Sequence, residues 1–137
     1  MKGLTHWIKD YKFSLLLVAV VLFLSFFNPP QTGLDEVTGM DKVAHFGMYF
    51  ALAGVVWAEY TRRHASYRRL WLALGAVLMP IVLGGLVEVG QAMLTGYRSG
   101  DWMDWVADMA GVAVMTAVAV ILERNGVWQR LWRGGAR

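Results

Sequence analysis

The chain has no cysteine and only three prolines in 137 residues, and Lys, Arg, Asp and Glu together make up just 17% of it. Without cysteine there can be no disulfide, thiolate metal ligand or thiol nucleophile. Any chemistry therefore falls to carboxylates, histidine, lysine, arginine and hydroxyls. Scarce charge beside a hydrophobic content of 57% is too apolar for a small soluble domain. One small integral membrane domain, spanning 1–137, is the expectation. The net charge of +3 and basic pI do not point to nucleic acid, because the basic residues gather at the ends of apolar runs and form no stripe beside stacking aromatics.

Four apolar segments predict helices at about 11–28, 42–60, 70–95 and 101–122. A basic, aromatic lead-in with Lys2, Trp7, Lys9, Tyr11 and Lys12 precedes the first, and Pro29 with Pro30 ends it. Asn28 and the prolines stand where a signal peptide would need small residues, so the first helix reads as retained. Asp41 is the expected N-cap of the second helix. Pro80 should kink or loosen the third, and Gly84 with Gly85 permits close approach of a neighbour. Ala107 and Gly111 suit a further helix contact, within the bundle or between copies. Trp57, Trp71, Trp102, Trp105, Trp128 and Trp132 fit interfacial belts, and the tail 123–137 is basic.

Charge asymmetry orients the segments. Eleven of the thirteen Lys and Arg residues lie in the amino-terminal lead-in, in the connection holding Arg62, Arg63, Arg68 and Arg69, or in the tail. Only Lys42 and Arg98 fall at the opposite ends. The positive-inside rule then places both termini in the cytoplasm, and four crossings satisfy that parity. The expected fold class is an all-α membrane protein, a bundle of four transmembrane helices.

Residues 84–111 concentrate polar chemistry that the flanking apolar runs do not favour: Glu88, Gln91, Arg98, Asp101, Asp104 and Asp108. Ionisable groups inside such segments are costly and tend to mark a site. Asp101, Asp104 and Asp108 are spaced three and then four apart, which puts them on one helical face. Glu88 and Gln91 form an edge on the third helix, Asp41 and His45 another on the second. At ~1.5 Å per residue, His45 lies ~6 Å below the outer boundary, and Glu88 and Asp108 ~10 Å below it. Matched depths on three helices predict a polar pocket opening outward. Single residues carry plainer readings: Asp101 as an N-cap, His45 bonded across helices, Glu88 paired with Arg98, Asp104 locked to Gln91.

In order along the chain, DKVAHF at 41–46, EVGQ at 88–91 and RSGDWMDWVADMAG at 98–111 resemble the signature of VanZ-like membrane proteins. Asp41, Lys42, His45, Glu88, Gln91, Arg98, Asp104 and Gly111 match the pattern, and Asp108 stands where many members carry Asn. The likeness covers about residues 35–120. It implies a multi-pass protein of the bacterial cytoplasmic membrane and a link to glycopeptide susceptibility of the teicoplanin type, and it names no reaction.

Five acids, Asp41, Glu88, Asp101, Asp104 and Asp108, face only Lys42, Arg98 and His45, so a proton, a divalent cation or a cationic ligand must offset them. Carboxylates with the Gln91 carbonyl suit Mg or Ca, and one histidine without cysteine argues against structural zinc. The leading expectation is binding of an envelope lipid or lipid-linked head group. Three alternatives stay open. They are an enzyme acting on that lipid, with His45 or Glu88 as base; a small proton-coupled transporter, which four helices would make a homo-oligomer; and a structural partner of a membrane complex. Nucleic acid is not an expected partner.

Overall fold

The computed structural model describes residues 2–27, 39–64, 66, 68–96 and 100–133, and among these every regular element is helical. Helix α1 spans Lys2–Asp10, α2 Lys12–Phe26, α3 Met40–Arg63, α4 Arg69–Ala73, α5 Met79–Leu94, α6 Trp102–Arg124 and α7 Val127–Arg133. A single wide π turn, Leu74–Leu78, joins α4 to α5, so these run as one rod. Pro80 explains that turn. It lacks the N–H that would bond one turn back and its ring crowds the carbonyl there, so the preceding turn widens.

The four expected segments correspond to α2, α3, the α4–α5 rod and α6, with ends shifted by a few residues. Two features depart from expectation. The lead-in is itself a helix, α1, held by Arg63 to Asp10 at 3.0 Å. Asp41 does not cap α3. Gly39 does, at φ 84°, in the left-handed region that suits glycine, and Asp41 lies within the first turn. Asp101 does cap α6, its carboxylate accepting from the Met103 N–H at 2.9 Å.

Helices α3 and α6 form the centre. They run parallel, since Lys42 meets Asp104, His45 meets Asp108 and Gly54 meets Met115 in constant register. Their closest approach is at Gly111, where any Cβ would collide with the backbone carbonyl of Phe46. Tyr49, Leu52, Ala53, Val112, Met115 and Ala119 fill the core below that point. Helix α5 returns antiparallel beside α6, with Gly84 and Gly85 lying under the Trp105 ring. The Trp105 indole N–H donates to the Ile81 carbonyl at 2.9 Å. Helix α2 lies along α3, and Ser25 at its end reaches α5 through Gln91.

The described part of the tail, through residue 133, packs back on the bundle. Gly126, at φ 67°, turns the chain back, Trp128 is buried with its indole donating to the Ala119 carbonyl, and Trp132 donates to Thr61 Oγ1. Trp57 and Trp128 are core residues, and the interfacial belt expected of them does not hold. Beside the apolar core, many large apolar side chains face outward and several polar ones lie buried. Leu86, Val89, Met93, Trp102, Val114 and Ile121 are exposed, whereas His45, Glu59, Glu88, Gln91, Asp104 and Asp108 are buried. Among the described residues, two helices, Arg69–Leu94 and Trp102–Arg124, are long and apolar enough to cross a bilayer.

Candidate functional site

Parallel α3 and α6 bring their first turns side by side, and antiparallel α5 brings its last turns to the same end. The acids separated in sequence therefore meet there. They form two layers.

The outer layer is organised by Lys42. Its Nζ lies 3.0 Å from Asp41, 3.1 Å from Asp101 and 3.1 Å from Asp104. One ammonium thus uses its three donors on three carboxylates. The N–H of Met103, and after it Lys42, hold the Asp101 carboxyl below the usual carboxylate range. Much of this layer is open to solvent, and a single ammonium is shared by its three carboxylates.

The inner layer is buried and less well matched. His45 Nδ1 faces Asp108 Oδ1 at 2.9 Å, while Nε2 lies 3.6 Å from Asp104 Oδ2. Asp104 thus divides its oxygens between the layers, Oδ1 to Lys42 and Oδ2 toward His45. Glu88 Oε2 accepts the Asp101 N–H at 2.8 Å. Glu88 Oε1 and Asp108 Oδ2 are buried with no hydrogen-bond partner among the described residues, and so is the Tyr49 hydroxyl one turn below His45. Buried carboxylate oxygens without donors are expensive, so this layer keeps hydrogen-bonding capacity that the described residues do not use. Ligand atoms of His45, Glu88 and Asp104 lie within 4.8 Å of one another, as do those of Asp41, Asp101 and Asp104.

Glycines set this geometry. Gly100 lies so close to α5 that a Cβ would strike the Glu88 carbonyl, and a Cβ on Gly84 would stand 2.5 Å from Asp108 Oδ2. Beside the cluster, between α5 and α6, a groove of about 580 Å³ opens to the outside, with Val82, Leu86, Val89, Trp102 and Trp105 along it and Glu88 at its edge.

Of the residues singled out from sequence, the structure gathers Asp41, Lys42, His45, Glu88, Asp104 and Asp108 in this cluster, together with Asp101. Gln91 is buried close by, but its amide donates to the Ser25 carbonyl at 2.8 Å, tying α5 to α2 and not to Asp104. Arg98 lies outside the described residues, as does its expected pairing with Glu88. Sequence reasoning missed Tyr49, although its position four residues after His45 on a polar edge was available as a signal. It also missed Glu59, an acid within the apolar run of α3. Compared with models of protein families, with curated proteins and with solved structures, the chain matches none.

Proposed function

We propose that this is a VanZ-like multi-pass protein of the bacterial cytoplasmic membrane that binds the head group of an envelope lipid, or of a lipid-linked precursor, at its acidic end. The observation that carries this reading is a junction of two surfaces. An apolar groove open to the side meets a buried, incompletely bonded polar cluster at Glu88. An amphiphile has that same division: a chain for the groove and a polar head for the cluster. The head group would carry both donors and acceptors, because Glu88 Oε1 and Asp108 Oδ2 need donors while the Tyr49 hydroxyl can donate.

Four crossings, by α2, α3, the α4–α5 rod and α6, with both termini cytoplasmic, accord with the apolar surface of the bundle and with the basic ends at Arg62, Arg63, Arg68, Arg69 and Arg124. The residues behind the VanZ-like resemblance support the reading further, since Asp41, Lys42, His45, Glu88 and Asp104 share one cluster and Gly111 sits at the closest α3–α6 contact. Altered susceptibility of the envelope to teicoplanin-type glycopeptides would follow from occupying such a head group.

Native mass spectrometry from nanodiscs of phosphatidylglycerol, phosphatidylethanolamine and an added polyprenyl phosphate tests the proposal. Wild type should keep one defined lipid that Glu88→Gln and Trp105→Ala lose. Identical lipid profiles for all three would overturn it.

A further inference from the structure

The inner layer has a second property that a head group alone does not explain. Its donors have the arrangement of a divalent-metal site. One ring nitrogen of His45 and one carboxylate oxygen each from Glu88 and Asp104 converge within 4.8 Å, and all three residues are buried. Histidine ligands of metals usually give their second ring N–H to a carboxylate, which fixes the tautomer and sharpens the free nitrogen as a ligand. His45 has that partner: Asp108, completely buried, faces Nδ1 at 2.9 Å and leaves Nε2 directed at Asp104. The Nε2 to Asp104 Oδ2 separation of 3.6 Å is close to the ~3.3 Å between neighbouring ligands of a tetrahedral ion with bonds of ~2.0–2.1 Å.

Two independent observations point to an ion and not to a merely acidic cluster. Glu88 Oε1 is buried without a donor, on a residue more than nine-tenths buried. Charge also fails to balance: Glu88, Asp104 and Asp108 surround one imidazole, and Lys42 reaches only the far oxygen of Asp104. No ion is inferred at the neighbouring trio of Asp41, Asp101 and Asp104, where the Lys42 ammonium lies within 3.1 Å of each carboxylate and solvent reaches Asp41 and Asp101 to screen the remaining charge.

We infer that His45, Glu88 and Asp104 bind one divalent first-row transition ion, of the Zn²⁺ or Mn²⁺ class, with Asp108 as the positioning residue behind His45. An imidazole ligand disfavours Mg²⁺ and Ca²⁺, which take oxygen donors, so the structure shifts the expectation drawn from carboxylates alone. Three protein ligands leave a coordination position free. Its use by a phosphate oxygen rests on the head-group reading above, whereas the ion site itself stands on the donor set.

The test uses the full chain in nanodiscs, stripped with chelator and then given Zn²⁺, Mn²⁺, Mg²⁺ or Ca²⁺ singly, with bound metal counted by elemental mass spectrometry and affinity measured by calorimetry. Co²⁺ loading adds visible absorption as a report on ligand geometry. Wild type should hold one Zn²⁺ or Mn²⁺ per chain. His45→Gln and Glu88→Gln should lose it, and Asp41→Asn should keep it. Asp108→Asn, which preserves shape and should fold even if the others do not, should weaken binding about 10- to 100-fold and shift the Co²⁺ spectrum. No retained transition ion, Mg²⁺ or Ca²⁺ only, or equal affinity in wild type and Asp108→Asn would overturn the inference. Metal held without a defined lipid would sink the head-group proposal alone; lipid held without metal would sink this one alone.

Discussion

Two glutamates lie buried in apolar helices of this bundle, one near each end, and they are treated in opposite ways. Glu59, on α3, is fully engaged. Its carboxylate accepts the Phe13 N–H at 3.0 Å, the Ser14 N–H at 2.9 Å and the Ser14 hydroxyl at 2.6 Å. These N–H groups belong to the first turn of α2, where donors lack intrahelical partners and the helix dipole favours negative charge. Glu59 therefore stitches α2 to α3 and has little capacity left. Glu88, on α5, accepts one backbone N–H and keeps a buried oxygen without a donor. The difference teaches that burial of an acid in an apolar helix does not by itself mark a site. Glu88 differs from Glu59 in its unspent hydrogen-bonding capacity.

Replacing each glutamate should bring out the contrast. Glu59→Ala strands three donors, the two from Ser14 buried and the one from Phe13 part-buried, and should cost about 3 kcal/mol of stability, read by thermal unfolding in detergent, with lipid and ion binding per folded molecule unchanged. A loss well under 1 kcal/mol would mean that water, and not Glu59, satisfies the start of α2. Gly84→Ala should cost about 1–2 kcal/mol, because its methyl would press on Asp108 Oδ2 and Trp105. Ligand binding should fall with it, so a variant that binds normally would show that Asp108 can move freely. Glu88→Gln should leave stability within about 1 kcal/mol of wild type, or raise it, since removing one of several crowded charges relieves the inner layer. If it unfolds the protein as Glu59→Ala does, the two acids have the same structural role and the comparison collapses.

The smallest effect is set by pH. Asp101 has its carboxyl lowered by the Met103 N–H and then by Lys42, so its contribution is present above the ordinary value and lost as pH falls through the folded one. Stability should accordingly decline below about pH 4, and Asp101→Asn should flatten that decline while still capping α6. An unchanged acid limb in Asp101→Asn would assign it to the other carboxylates.

Much of the fold was legible because the signals are local. Apolar run length and Pro80 lie in consecutive residues. The shared face of Asp101, Asp104 and Asp108 follows from helical spacing alone. Less local features were not legible. Gly39, and not Asp41, caps α3, because the cap depends on a left-handed backbone that no neighbouring residue type announces. Trp128 looked interfacial until the turn at Gly126 folded it under α6. Gln91, three residues from Glu88, shares its edge by spacing yet turns to the end of α2, 66 residues away in sequence.

By itself, then, the sequence determined the four long helical segments, though not α1 or α7, and which residues are too polar for their surroundings, and that these fall near one end of three helices, since spacing and hydropathy depend only on neighbours along the chain. The tertiary structure decided which of those polar residues are satisfied. Lys42 meets three carboxylates, Glu59 meets the start of α2 across 45 residues, and Glu88 and Asp108 each retain an oxygen without a donor. Hydrogen bonds and charge compensation act over a few ångströms, so partners distant in sequence become partners only when helix packing sets them side by side.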